Sequence, residues 1–136
     1  MKHISTRQLA LCAVLTALAL GLSTLENLFP VTLLIPLPGV KLGLANIVTV
    51  FALYQLGALP ALAILTARCL LGGLFAGNAS AMLFSLLGGL TAMLVMILLR
   101  RLRCLSIYGV SIGGAAGHNL GQMAAALITL GNTAVL

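Results

Sequence analysis

The chain leaves its long middle almost uncharged. Between Arg7 and Arg100 only Glu26, Lys41 and Arg68 carry a formal charge, and none follows Arg103. An uncharged apolar run of roughly 20 residues crosses a hydrocarbon core about 30 Å thick, and inside that core backbone amides must be satisfied within the chain itself. The first such run is Ala-rich and free of proline, so it is read as a helix. At 136 residues, 62% hydrophobic and 6% charged, the composition is far from a soluble domain, where about a quarter of residues are charged. With short loops, about five crossings fit this length. The expectation is an all-α polytopic transmembrane helix bundle in which residues 1–136 form a single integral membrane domain.

The net charge of +6 could suggest nucleic acid, but the positions argue against it. Lys2 and Arg7 precede the first apolar run, and Arg100, Arg101 and Arg103 follow another. Cytoplasmic loops collect such charges, so the N-terminus is expected inside a bacterial cytoplasmic (inner) membrane. The first 23 residues imitate a signal peptide, yet the apolar run continues through Leu28 and Phe29, which implies a retained first helix. Cys12, Cys69 and Cys104 are odd in number and widely spaced, giving neither a disulfide framework nor a metal motif. One acidic residue, Glu26, cannot supply the paired carboxylates or the carboxylate-bound metal that most hydrolases and all diphosphate chemistry need. No catalytic group, metal site or cofactor is assigned, and the chain is read as not an enzyme.

The apolar runs place helices over about 7–28, 42–56, 61–77, 80–99 and 108–130. Three prolines between Phe29 and Gly43 forbid a regular helix there, and the segment is read as a re-entrant or lid loop. The second helix is short for a full crossing. Gly57 to Pro60 and Gly77 to Ala79 are read as turns.

An ionisable group at a helix centre costs about 2.5–3.5 kcal/mol on insertion scales, which singles out Arg68 near the middle of the third helix. Two readings stand: a cationic anchor for an anionic ligand, or a buried pair with Glu26. Glu26, Asn27, Lys41, Asn46 and Asn78 fall in the outer third, while His118, Asn119 and Gln122 lie on the fifth helix with His118 and Gln122 on one face. Together they would line a cavity open to the outside; taken singly, they are turn residues and interhelical hydrogen-bonders. Gly109, Gly113, Gly117, Gly121 and Ala125 recur every four positions, as do Gly73 and Gly77, a spacing that lets another backbone approach. The glycine ridge of the fifth helix could also serve a homo-oligomeric channel. Ala13 and Ala17 repeat the spacing near the start of the first helix and could face this chain or a partner subunit.

The stretches Glu26 to Gly57, Arg68 to Gly89 and Gly117 to Gln122, with PLPGVKLGLAN as the most specific segment, resemble the Gx transporter family of bacterial membrane proteins, widely labelled heptaprenyl diphosphate synthase component I. Members usually continue through another hydrophobic helix, so the resemblance implies a bundle lacking its final helix here. The label implies prenyl chain elongation, whose Mg²⁺ is held by Asp-rich motifs. This chain has no Asp, so the label implies at most an accessory or anchoring role. More distantly, the family resembles the S-components of energy-coupling factor transporters, whose lid corresponds in position to residues 29–43 and whose AxxxA contact with a coupling subunit corresponds to Ala13 and Ala17. The resemblance implies capture of a small anionic or amphipathic substrate from outside by Arg68, Lys41 and Asn46 with His118 and Gln122. With no Walker motif in the chain, a coupling subunit and ATPases, or another membrane partner, would drive transport. The alternative is a non-catalytic membrane subunit associated with heptaprenyl diphosphate synthesis or a flavin-linked redox system.

Overall fold

The computed structural model describes residues 4–29 and 44–131. Five helices account for nearly all of them: α1 (Thr6–Leu28), α2 (Leu44–Gln55), α3 (Ala58–Ala76), α4 (Ala79–Arg100) and α5 (Ile107–Leu130). No strand occurs among the described residues. Apart from Phe29, the expected proline-rich lid loop lies outside them, and so does Lys41.

The helix boundaries follow from local chemistry. Ser5 caps α1, its side-chain oxygen accepting from the Gln8 backbone N–H at 3.2 Å. Gly57, with φ of +98°, ends the α2 segment in a left-handed conformation that costs glycine little. The sequence placed the start of α3 after Pro60, but the helix begins at Ala58. Pro60 then sits in the first turn, where its missing N–H would have had no intrahelical partner anyway. Asn78 caps α4 by accepting from the Ala81 N–H at 3.1 Å, and Ser106 caps α5 by accepting from the Gly109 N–H at 3.4 Å.

Three helices, α1, α3 and α4, are long and apolar enough to cross a membrane, at 23, 19 and 22 residues. Five helices were expected and five are found among the described residues; α2 and α5 differ from those three. The 12 residues of α2 rise only about 18 Å at 1.5 Å per residue, short of a hydrocarbon core. The other difference is α5, which has 24 residues but carries His118, Asn119 and Gln122 at its middle, so composition alone does not mark it as a span. Large apolar side chains stand on the surface throughout, among them Val14, Leu18, Phe75, Leu94, Leu98 and Leu120. Contiguous exposure of this kind is rare on soluble monomers and suits contact with lipid.

The chain divides into two compact units, 1–64 and 65–136, with the division inside α3. In the first unit α1 packs on α2. Ala45, Val48, Thr49, Ala52 and Leu53 of α2 are buried at i, i+3, i+4, i+7 and i+8, one helical face. The Thr49 hydroxyl in that face donates back to the Ala45 carbonyl at 3.3 Å, which satisfies it without a neighbouring helix. Leu15 and Ala19 are the buried residues of α1. In the second unit α4 and α5 form a closely packed antiparallel hairpin joined by residues 101–106, and the lower half of α3 lies against α4.

Candidate functional site

Arg68 lies in the buried stripe of α3. Ala61, Ile64, Leu65, Arg68 and Cys69 are all buried and share one helical face by their spacing. The guanidinium is therefore carried into protein instead of lipid. Arg68 is only 8% exposed, and among the described residues its buried Nε has no hydrogen-bond partner. Leaving a buried donor unsatisfied costs about 1–3 kcal/mol, more for a charged group. A side chain held at that cost in the middle of a helix is a functional candidate by default.

The backbone around Arg68 is fixed by its neighbours on α4. Gly89 leaves room for Leu65, whose Cδ1 would stand 2.9 Å from a Cβ at position 89. One turn along, the Cys69 thiol donates to the Ser85 carbonyl at 3.5 Å and the Ser85 hydroxyl donates to Cys69 Sγ at 3.4 Å. Another turn along, Gly73 receives the side chain of Met82. The result is three consecutive small or polar contacts that clamp α3 to α4. Sequence reasoning missed the Cys69–Ser85 pair. The available signal was a small polar residue in the middle of each of two adjoining apolar helices, the kind that hydrogen-bonds across membrane helix pairs.

His118 and Gln122 meet α4 at Gly88. A Cβ there would lie 2.9 Å from His118 Cε1 and 3.0 Å from Gln122 Cγ, so the glycine makes the space that the two side chains use. His118 is half-buried and makes a polar interaction; Gln122 is also half-buried. Cys69, next to Arg68 in the chain, meets α4 at Ser85, and His118 and Gln122 meet it at Gly88; along α4 these points are three residues apart, or about 4.5 Å at 1.5 Å per residue.

Asn78 is exposed and its side-chain oxygen caps α4, ten residues or about 15 Å from Gly88. Asn119 is exposed on α5. In the first unit Glu26 is half-buried and engaged in a polar interaction, Asn27 is exposed, and Asn46 is half-buried in the first turn of α2. Ala13 and Ala17 are both exposed on α1. Among the described residues no three His, Cys, Asp or Glu side chains cluster where they could hold a metal ion.

The glycines of α5 have different neighbours. A Cβ on Gly121 would stand 2.5 Å from the Leu87 carbonyl oxygen and 2.8 Å from Gly88 Cα; on Gly117 it would stand 3.3 Å from Ala92 Cα. Gly113 receives Leu99. This stretch of the ridge is filled by α4 of the same chain, so the homo-oligomeric channel loses the surface it was to be built on. Among the described residues, a Cβ on Gly109 would meet Leu105, just before its own helix, and Gly77, with φ of +61°, has nothing within 4 Å of where a Cβ would stand.

No curated protein and no solved structure shows significant similarity to the chain. A family model described as heptaprenyl diphosphate synthase component I matches residues 15–136, taking in all of the second unit and most of the first. The chain belongs to that family of membrane-type helical proteins.

Proposed function

We propose that the protein is a membrane substrate-binding subunit of the S-component type, capturing a small anionic or amphipathic molecule through Arg68, with His118 and Gln122 supplying hydrogen bonds at the same depth. The observation that carries this reading is the buried Arg68 Nε, which has no hydrogen-bond partner among the described residues. A carboxylate or phosphate offers the charged acceptor that a guanidinium takes best. The positive charge is held where water is scarce and an incoming anion is attracted strongly. Transport would then rest on a coupling subunit and ATPases, since the chain carries no nucleotide-binding motif.

The test is retention of copurified small molecules by the full chain in mild detergent, read by mass spectrometry of the extracted ligand. Wild type should carry a stoichiometric anion that Arg68→Met loses without any fall in the midpoint of ligand-free unfolding. Equal retention by both would sink the reading. Lys41→Ala, Asn46→Ala, Glu26→Gln and Asn27→Ala in the same assay test the candidates from the first 64 residues. Asn78→Ala and Asn119→Ala should leave retention unchanged, because one side chain caps a helix and the other is exposed.

The family match favours a second reading, a non-catalytic membrane subunit serving a prenyl diphosphate synthase. Glu26 is the chain's only acidic side chain, so the Mg²⁺ and diphosphate chemistry would belong to a partner. In that case Arg68→Met would weaken copurification with an Asp-rich synthase subunit and leave small-molecule content unaltered.

A further inference from the structure

The turn between α4 and α5 concentrates positive charge. Arg100, Arg101 and Arg103 are all exposed. From residue 27 onward the sequence contains no acidic side chain, so within the unit 65–136 Arg101 and Arg103 have no carboxylate side chain to pair with. An anion from outside that unit can take that place.

The setting identifies its chemistry. With 22 residues, α4 is about 33 Å long at 1.5 Å per residue, which puts the turn at a membrane face, at headgroup depth. Leu102, Ile107 and Tyr108 flank the arginines and are 50%, 44% and 78% exposed. A free anion would gain nothing from these apolar neighbours. A lipid would, because its glycerol and upper acyl chain lie beside the phosphate, and an exposed tyrosine is typical of that interface. The field is also favourable, since the positive end of α5 opens on the same turn.

We infer that the α4–α5 turn is a binding site for the phosphate of an anionic membrane lipid, with Arg101 and Arg103 holding the headgroup and Leu102, Ile107 and Tyr108 contacting the chain below it. Arg100 already makes an interaction of its own and is not needed. The site is independent of the Arg68 reading.

The full chain reconstituted in nanodiscs of mixed phosphatidylglycerol and phosphatidylcholine, then released for native mass spectrometry, reads the lipid directly. Wild type should keep phosphatidylglycerol in preference to phosphatidylcholine. At about 1 kcal/mol per surface basic residue, Arg101→Gln and Arg103→Gln should each lower that preference roughly fivefold, and Arg101→Lys with Arg103→Lys should keep most of it. Arg7→Gln, on α1, should leave the preference intact. Because exposed charges are screened within about 10 Å at 0.1 M salt, raising salt should weaken the wild-type preference too, which tests the site even if a variant fails to fold. Equal retention of the two lipids overturns the inference. So does complete displacement by millimolar inorganic phosphate, which would indicate a free-anion site. Loss of an acidic protein partner on Arg101→Gln with lipid retention unchanged overturns it as well.

Discussion

Helix α1 and the α4–α5 hairpin are both built largely from apolar residues and are used in opposite ways. Over 23 residues α1 buries Leu15 and Ala19 and shows the rest of its surface. The hairpin buries Gly88, Gly89, Ala92, Met93 and Met96 on α4 and closes Gly114, Gly117 and Gly121 of α5 against it. Apolarity does not distinguish them, because lipid tails are as apolar as leucine and give helices no reason to associate. The register of small residues distinguishes them: where glycines face a neighbouring backbone, helices can approach closely enough for dispersion contacts to hold them.

The comparison breaks most sharply at Gly121. Alanine there would put a Cβ 2.5 Å from the Leu87 carbonyl oxygen and 2.6 Å from Thr91 Oγ1, and neither can yield without moving α4, since Thr91 itself donates to Leu87 O at 2.6 Å. Overpacking usually costs about 1–3 kcal/mol and sometimes more; Gly121→Ala should lie at or above the top of that range in denaturant unfolding in mild detergent. Gly88→Ala should cost less, because it meets the flexible ends of His118 and Gln122. Near-wild-type stability for Gly121→Ala would refute the packing account.

Arg68→Met tests the opposite kind of cost. Removing a buried guanidinium whose Nε has no partner should stabilise the ligand-free protein by about 1–3 kcal/mol, the penalty it otherwise carries. A loss of similar size would point to the other sequence-derived reading, a structural pair with Glu26. A cycle with Glu26→Gln would then show a coupling energy, whereas independent residues should give additive effects within about 0.5 kcal/mol.

Part of this was legible in the sequence. Helix order and approximate ends followed from apolar runs, prolines and the turns read at Gly57 to Pro60 and Gly77 to Ala79, because these act locally. Arg68 stood out because charge in lipid is costly at any orientation. What sequence could not give was which face each residue takes once helices meet. Gly77 and Gly117 look alike as members of a four-residue repeat, yet one makes a turn at φ +61° and the other meets Val95 and Ala92. Asn78 and His118 were grouped as polar residues of one site, but the first is used as a cap far from the second. Five helices were expected and five are found, but apolar runs alone did not show how α2, with 12 residues, and α5, polar at its centre, differ from the other three.

On α1 the expected effects are smaller and of opposite sign. Among the described residues nothing lies within 4 Å of where a Cβ on Gly21 would stand, so Gly21→Ala meets no clash there and removes the conformational freedom that glycine loses in a helix. It should stabilise by about 0.5–1 kcal/mol. A loss instead would mean that α1 is packed at that level, and the contrast with Gly121 would disappear.

Ala13 and Ala17 give the smallest effect on stability and the clearest statement about what α1 is for. Both are exposed, so leucine at either position extends into lipid or solvent, and surface changes of this kind stay within about 0.5 kcal/mol. If the small pair is a contact for a coupling subunit, as we propose, the added bulk blocks close approach of a partner helix without touching the fold. In solubilised native membranes, the tagged wild-type chain should then migrate in a complex of higher mass than Ala13→Leu/Ala17→Leu, while the two purified chains unfold at the same midpoint. Identical migration would assign the exposed face of α1 to lipid alone. A lowered midpoint would assign Ala13 and Ala17 to packing within this chain.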